Sequence, residues 1–295
     1  MSEPKIYKHK PFQLIILVIL LPIMGIVLFT SGGTEERIIQ TVMAVMIGVV
    51  FLVSMLTLTV KVIISDSEIS TQSIFGTKSL AWSEINRVSG TGSALKLHNR
   101  EGDVTVAPSP QLPGYVEIIE QIGAKRADLF NTENFGEMKR SWFVFFPLIL
   151  LIVFFMAGLL VSGLMMFNKP DTPTIIIMPL FFIFFIAVIF LGIVFSSPQS
   201  VTLEGKSMSI KYLFSERTLL ADEIASIELR FTQTRNGKNY FVALNQTNRK
   251  TIRISGLSIS LPIVYLVLKN WHKKYTNPSP AKADTSFNYP SFPTL

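Results

Sequence analysis

Few residues of this chain have the types and spacing that catalysis or metal binding requires. The three histidines, His9, His98 and His272, lie in separate segments, and the chain of 295 residues contains no cysteine. A zinc site or a catalytic histidine pair needs such residues in a cluster. The chain also lacks the G-x-S-x-G, P-loop and H-E-x-x-H motifs of hydrolases, nucleotide-binding proteins and metalloproteases. We therefore predict a non-enzymatic protein that uses no cofactor and no metal.

Basic residues concentrate in the C-terminal third of the chain, where they suit an anionic ligand. Residues 61–140 contain 9 basic and 10 acidic side chains, a net charge of −1, whereas residues 197–295 contain 13 and 6, a net charge of +7. Each basic side chain that reaches an anionic lipid surface contributes about 1 kcal/mol. The candidates for a patch that binds an anionic lipid headgroup or an acidic partner are Arg230, Lys238, Arg249 and Lys250.

A second interpretation of the basic cluster needs no ligand. Membrane proteins collect basic residues on their cytoplasmic side, and such residues also keep a domain soluble. We do not expect nucleic acid as a partner, because few aromatic residues interleave with the basic ones.

Four long stretches of the chain carry no ionisable residue. The whole chain is 49% hydrophobic and 16% charged, with a mean hydropathy of +0.44, whereas water-soluble domains carry about 25% charged residues. Each stretch is about as long as a helix that spans a hydrocarbon core, roughly 20 residues. The stretches are residues 11–30, 38–60, 142–167 and 174–195. They predict a membrane protein with four transmembrane helices in two hairpins.

Lysine and arginine residues lie at those ends of the stretches that would face the same side of a membrane. Three lysines precede the first stretch, Lys61 follows the second, and Lys139 and Arg140 precede the third. Because short loops rich in Lys and Arg stay in the cytoplasm, we expect both termini and both intervening polar segments to be cytoplasmic.

The apolar stretches themselves suggest packing rather than transport. A proton or ion pathway normally needs ionisable groups inside the membrane, so a channel or transporter formed by oligomerised hairpins is the weakest hypothesis. Small residues four positions apart let helices approach closely, within the protein or in a homo- or hetero-oligomer. The candidate helix-packing residues are Ala44, Gly48, Gly158 and Ser162.

The chain contains an internal repeat. Residues 69–85 match residues 208–224 at a constant offset of 139, which places Phe75 on Phe214 and Glu84 on Glu223. In each copy, apolar and polar residues alternate over about six or seven short segments, which predicts strands. A segment with helical spacing follows each set, opened by Pro113 in the first copy and Pro262 in the second. Each copy is thus an antiparallel sheet structure closed by one amphipathic helix.

The sequence Leu-Ala-Trp82-Ser-Glu84-Ile85, which follows a Phe-Gly turn, resembles the bacterial PH-domain family. The resemblance implies an α+β membrane protein in the bacterial cytoplasmic (inner) membrane. Each transmembrane hairpin would be followed by a PH-like antiparallel β-barrel or sandwich with a C-terminal helix. The second copy departs from the pattern, with Ala221 in place of Trp82 and Ser215 in place of Gly76. This departure favours a role for Trp82 in the core rather than in a conserved surface contact.

The predicted segments follow from the repeat. They are a cytoplasmic N-terminus (1–10), a transmembrane hairpin (11–60), a PH-like domain (61–130), a linker (131–140), a second hairpin (141–196), a second PH-like domain (197–275) and a disordered tail (276–295). The first functional hypothesis is a membrane-anchored interaction or scaffolding module on the cytoplasmic face. The alternative is a protein that binds or handles anionic lipids, with the lipid bilayer as its partner.

Overall fold

The computed structural model describes residues 3–9, 37–103, 105–140, 145–168, 181, 184–186, 188–189, 191–192, 195, 197–235 and 237–276. These residues form two units of similar construction. The first unit comprises residues 5–8 and 61–130, and the second unit comprises residues 137–139 and 200–276. Each unit contains a four-stranded antiparallel sheet, a three-stranded antiparallel sheet and a C-terminal helix.

The four-stranded sheet of the first unit has the strand order β1-β2-β3-β4. Its strands are β1 (Lys5–Lys8), β2 (Lys61–Ile64), β3 (Glu68–Ser73) and β4 (Gly76–Ala81). The second sheet is built from β5 (Arg87–Ser89), β6 (Lys96–His98) and β7 (Thr105–Val106), and helix α2 (Tyr115–Lys125) follows. Helix α1 (Arg37–Leu58) lies in sequence between β1 and β2.

The second unit repeats this order. Its first sheet contains β8 (Glu137–Lys139), β9 (Ser200–Glu204), β10 (Ser207–Lys211) and β11 (Glu216–Leu220). Its second sheet contains β12 (Ile224–Thr234), β13 (Gly237–Gln246) and β14 (Thr251–Ile254), and helix α4 (Leu261–Thr276) closes the unit. Helix α3 (Phe146–Asn168) lies between β8 and β9. The 3₁₀ turns Trp82–Glu84 and Ala221–Glu223 occupy equivalent places, 139 residues apart.

Apolar alternation explains how each sheet covers the core. In β2, Val62 and Ile64 are buried while Lys61 is exposed, and in β10, Met208 and Ile210 are buried. Successive side chains of a strand point to opposite faces, so one face of each sheet packs inward and the other faces outward.

The two units share one hydrophobic core, and α4 is the element that joins them. All residues from Leu261 to Leu268 are buried, which a helix packed on one side only would not show. Helix α4 packs on β12 and β13 of its own unit and also on the 3₁₀ turn Ala127–Phe130 and helix α2 of the first unit. The units are therefore packed against each other rather than separated by a linker.

Polar contacts reinforce this junction between the units. The Tyr265 hydroxyl donates to Glu120 at 2.7 Å, and the Lys269 ammonium lies 3.0 Å from the same carboxylate. The hydrogen bond from Tyr265 and the ammonium of Lys269 lower the pKa of Glu120. The Tyr240 hydroxyl donates to the carbonyl of Pro110 at 2.9 Å, and burial raises the pKa of Tyr240 to about 12.

No helix within the described ranges is both long and apolar enough to cross a membrane. For the described residues, the prediction of a membrane protein with four transmembrane helices in two hairpins is therefore wrong. Residues 11–30, and most of 174–195, lie outside the described residues.

Two consequences of that prediction are also corrected. The multi-pass inner-membrane localisation depended on the four spans, so it is wrong for the same reason. The architecture that the described residues form is rich in β-structure, with four antiparallel sheets. The tail predicted to be disordered lies outside the described residues beyond position 276.

Two short segments have roles that differ from the sequence-based expectation. Residues 5–8, placed in the N-terminal extension, form edge strand β1, with Lys5 paired to Ile64 and Lys8 paired to Lys61. Residues 137–139, placed in the linker, form the equivalent edge strand β8 on β9. Each four-stranded sheet thus draws its outer strand from a segment that precedes a long apolar region.

Candidate functional site

The structure does not bring the four predicted basic residues together. Arg230 lies in the middle of β12 and pairs with Glu228 at 2.7 Å. Lys238 is the second residue of β13, whereas Arg249 and Lys250 lie in the turn after β13. Strand β13 has 10 residues and, at 3.3 Å per residue, is about 30 Å long. Lys238 and Lys250 therefore lie at opposite ends of the sheet.

Lys238 has a role in the junction between the units. Its backbone amide donates to the Gln111 side chain at 3.1 Å, and its ammonium donates to the carbonyl of Leu112 at 3.3 Å. The ammonium also lies 5.2 Å from the centre of the Phe231 ring. The ammonium of Lys238 therefore already has partners within the protein.

The other end of the sheet contains an open groove, which we call the second-unit groove. It lies between β11, the 3₁₀ turn Ala221–Glu223 and the turn after β13, with a cavity volume of about 420 Å³. Its lining residues are Arg217, Thr218, Leu219, Glu223, Gln246, Thr247, Asn248 and Lys250. Of the four predicted basic residues, Lys250 alone lines this groove, with Arg249 next to it in the chain.

The first unit has a groove at the equivalent place, which we call the first-unit groove. Its volume is about 620 Å³, and its lining residues are Ser79, Leu80, Ser83, Glu84, Asn86, Asn99, Arg100 and Glu101. Ser79, Leu80 and Glu84 correspond to Thr218, Leu219 and Glu223 at the repeat offset of 139. The repeat thus builds the same concave surface twice.

The recurring glutamates of the two grooves have a structural role. The carboxylate of Glu84 accepts a hydrogen bond from the backbone amide of Ala81 at 3.1 Å, and Glu223 accepts one from Leu220 at 3.0 Å. Each glutamate caps its own 3₁₀ turn by bonding back to the residue that precedes the turn. The two carboxylates thus stabilise equivalent turns of the repeat.

The charged side chains differ between the grooves. The first-unit groove is lined by one basic side chain, Arg100, and two carboxylates, Glu84 and Glu101. The second-unit groove is lined by two basic side chains, Arg217 and Lys250, and one carboxylate, Glu223. In the part of the chain that the structure describes, neither Arg217 nor Lys250 forms an ion pair with a carboxylate. The second-unit groove is therefore the one suited to an anion.

The turn beside the second-unit groove has a strained residue. Arg249 has φ 66°, in the left-handed region. Its amide donates to the carbonyl of Gln246, as the amide of Gly102 donates to the carbonyl of Asn99 in the first unit. Gly102 has φ 81°. The first unit therefore uses glycine where the second unit places an arginine, at a cost of roughly 1–2 kcal/mol for a residue with a Cβ.

We expect Arg249→Gly to raise the free energy of unfolding by about 0.5–1 kcal/mol, because glycine removes the strain but adds freedom to the unfolded chain. The matched exchange in the first unit, Gly102→Arg, should lower it by about 1 kcal/mol. Denaturant unfolding followed by far-ultraviolet circular dichroism measures both. A loss of stability in Arg249→Gly would show that the arginine side chain makes a contact stronger than the strain.

The predicted helix-packing residues have different surroundings. Ala44 and Gly158 are half-buried, whereas Gly48 is exposed, and a methyl group added at Gly48 would meet no atom within 4 Å. The side chain of Ser162 lies outside the described residues. The structure thus shows no close packing at Gly48.

Histidine and carboxylate clusters do not provide another site. His98 bonds Ser89 at 2.7 Å and Thr105 at 3.1 Å inside its own sheet. Burial, with the nearby charges of Arg87 and Lys96, lowers the pKa of His98. Among the described residues, no group of three or more His, Asp or Glu side chains could hold a metal ion.

Sequence reasoning missed Arg217, although the repeat contained the signal. The offset of 139 places Arg217 on Lys78. The turn at 246–249 matches the turn at 99–102 by its backbone hydrogen bond, at a larger offset of 147. Comparison of the chain with protein-family models, curated proteins and solved structures finds no match. Its function must therefore be inferred from the geometry of the grooves.

Proposed function

We propose that this chain is a non-enzymatic interaction module whose second-unit groove binds an anionic segment of a partner protein. One observation carries the proposal: the repeat builds one groove twice, and the second copy presents two basic side chains, Arg217 and Lys250, neither of which forms an ion pair within the described residues. A carboxylate or phosphate group on the partner would form charge-assisted hydrogen bonds with both side chains.

The architecture of each unit supports a scaffold of the bacterial PH-domain type. Each unit contains a four-stranded antiparallel sheet and a three-stranded one, and a C-terminal helix follows. The resemblance at Trp82, Glu84 and Ile85 is the reason for proposing this type of scaffold. On such a scaffold, the turns at one end of the sheets are free to carry binding residues, because the sheets and helix supply the rigid support.

The shared core gives the module a fixed geometry. Because α4 packs on both units, the two grooves keep constant positions relative to each other. A partner that touches both would meet an excess of basic side chains in the second-unit groove and an excess of acidic side chains in the first-unit groove. This difference would fix the orientation of a bound partner, because complementary charge across an interface selects both the partner and its orientation.

The test uses the full chain and a fluorescent peptide of glutamate residues as the probe. We expect saturable binding in an anisotropy titration, and about thirtyfold weaker binding for Arg217→Gln with Lys250→Gln, because each of the two lost charge-assisted contacts is worth about 1 kcal/mol. The matched control is Lys78→Gln with Arg100→Gln, which removes the same charge from the first unit and should leave the affinity within about twofold.

Two results would contradict the proposal. Equal losses in the two double variants would mean that the peptide senses net charge rather than the groove. Absence of binding at low salt would exclude an anionic partner at this site. Glycerophosphoglycerol, the soluble headgroup of phosphatidylglycerol, added as a competitor, distinguishes a phosphate-bearing lipid headgroup from a protein segment. Displacement of the peptide that depends on Arg217 and Lys250 would replace the protein partner with the lipid headgroup.

A further inference from the structure

Two hairpin turns expose large apolar side chains at equivalent positions of the repeat. In the β3–β4 turn, Ile74 is 59% exposed and Phe75 is 83% exposed; in the β10–β11 turn, Phe214 is 85% exposed. Leu213 beside it is 43% exposed. We call these two pairs, Ile74 with Phe75 and Leu213 with Phe214, the apolar tips. Phe75 and Phe214 are the most exposed large apolar side chains among the described residues.

The turns themselves do not require these residues. Hairpin turns favour glycine, asparagine and aspartate, which supply positive φ or local hydrogen bonds. In the first tip, Gly76 adopts the positive φ of the turn, at 133°. In the second tip, the backbone amide of Tyr212 donates a hydrogen bond to the carbonyl of Ser215 and closes the turn. A phenylalanine at the end of a hairpin contributes little to the core of its own unit when more than four-fifths of it is exposed.

Both tips lie at the ends of the sheets where the apolar segments meet them. Lys61, three residues beyond the end of α1, pairs with Gln72 just before the first tip. Ser200 pairs with Lys211 just before the second tip, and the ring of Phe214 lies 5.3 Å from that of Phe195. Each tip is therefore continuous with an apolar region rather than isolated on a polar surface.

The large apolar side chains of α1 extend this surface. Val45 is 61% exposed and Met46 is 64% exposed, and Val42, Val49 and Leu52 are each more than half exposed. Contiguous apolar surface of this kind marks a place that another apolar phase covers.

Two exposed basic residues flank each tip: Lys61 and Lys78 near the first, and Lys211 and Arg217 near the second, where Glu216 is also exposed. An apolar point flanked by basic residues suits the boundary of an anionic lipid layer, with acyl chains beneath and phosphate groups around. A partner protein would need two separate apolar pockets at a fixed spacing, whereas a lipid surface accepts both tips without any such match.

We propose that the apolar tips of the two units insert together into the interfacial layer of an anionic lipid surface. The tips supply the apolar contact, and the four basic residues supply attraction to the headgroups. Because the units share one core, both tips bind as parts of one body, so the second insertion is favoured by the first. This inference does not depend on the anionic partner proposed for the second-unit groove.

The absence of cysteine from the chain makes a site-specific test possible. Single variants of the full chain, Ile74→Cys, Leu213→Cys and Leu220→Cys, each carry one thiol for an environment-sensitive fluorophore. Leu220 is 47% exposed at the far end of β11, so it is a control on the same strand as the second tip. We expect the label at positions 74 and 213 to brighten and shift to the blue with phosphatidylglycerol vesicles, and the label at 220 to change little.

A binding measurement accompanies the fluorescence. We expect Phe75→Ser with Phe214→Ser to weaken flotation with these vesicles at least about tenfold, since even partial burial of one phenylalanine is worth about a factor of ten. Leu220→Ser is the matched control and should float as the parent does. Replacing phosphatidylglycerol by phosphatidylcholine should weaken parent binding in a salt-dependent manner.

Three results would overturn the inference. The first is a label that responds equally at 74, 213 and 220. The second is flotation of the double serine variant equal to that of the parent. The third is brightening without vesicles that grows with protein concentration, which would assign the tips to contact between copies of the chain. Peptide binding at the second-unit groove can persist in each case, so the two proposals fail separately.

Discussion

Trp271→Ala is expected to lower the free energy of unfolding by about 3–5 kcal/mol, the cost of deleting a fully buried large aromatic side chain. Trp271 lies in α4 and is 1% exposed. Its indole nitrogen donates to the carbonyl of Gly205 at 2.8 Å, and its ring lies 6.2 Å from that of Tyr275. Removal leaves a cavity in the core and a carbonyl without its donor. Unfolding by urea, followed by far-ultraviolet circular dichroism, measures the loss.

The repeat explains why Trp271 is placed there. In the first unit, the indole nitrogen of Trp82 donates to the carbonyl of Ser65 in the β2–β3 turn at 3.1 Å. The second unit has Ala221 in place of Trp82, and Trp271 reaches the equivalent β9–β10 turn from the helix instead. Both units therefore close the same hairpin turn with an indole, but from different elements.

Trp271→Phe separates the two contributions. It keeps most of the buried apolar surface and loses the hydrogen bond, so we expect a cost of about 1–2 kcal/mol. A loss below about 1 kcal/mol in Trp271→Ala would contradict the placement of this side chain in the shared core. Equal losses in the two variants would assign the whole effect to the bond with Gly205.

The strands that carry a clear alternation of apolar residues could be located from the sequence. Val62 and Ile64 in β2, and Met208 and Ile210 in β10, face the core, and burial of one face leaves a period of two in the sequence. The repeat that relates the two copies was also visible in the sequence, where it places Glu84 on Glu223. In the structure, both carboxylates cap equivalent turns.

Strands β1 and β8 could not be located in this way. Each has four residues or fewer and pairs on one side, so it buries too little to leave a period. Their lysines, such as Lys5 and Lys139, also fitted a charge pattern expected beside membrane spans. The pairing that decides their structure is with a strand more than 50 residues away in the chain.

The predicted basic patch failed as a group because strand neighbours were treated as spatial neighbours. Lys238 and Lys250 lie on or beside the same strand, yet about 30 Å of backbone separates them. Lys238 instead forms hydrogen bonds with Gln111 and Leu112 at the junction between the units. No pattern in the sequence indicated this junction. Charge density in the sequence indicated the second unit, and only the fold places Lys250 at a groove and apart from the other three residues.

Gly123→Leu is expected to lower the free energy of unfolding by about 3 kcal/mol, at the upper end of the cost of overpacking a core. Gly123 is buried in α2 at the point where α4 approaches. A Cβ at this position would overlap Leu266 Cδ2 and lie 3.3 Å from Leu266 Cδ1. Leu266 is 3% exposed, so it has little space into which to move. The measurement is urea unfolding of the full chain.

Two comparisons make this prediction specific to the junction. Ala124→Leu adds a similar side chain at the next, exposed position and should change the stability by less than about 0.5 kcal/mol. In a Leu266→Ala background, the space left by the shortened side chain should reduce the cost of Gly123→Leu by at least about 1 kcal/mol, the coupling expected for residues in contact. Equal effects at positions 123 and 124, or no coupling to position 266, would mean that the two helices do not hold the units together at this point.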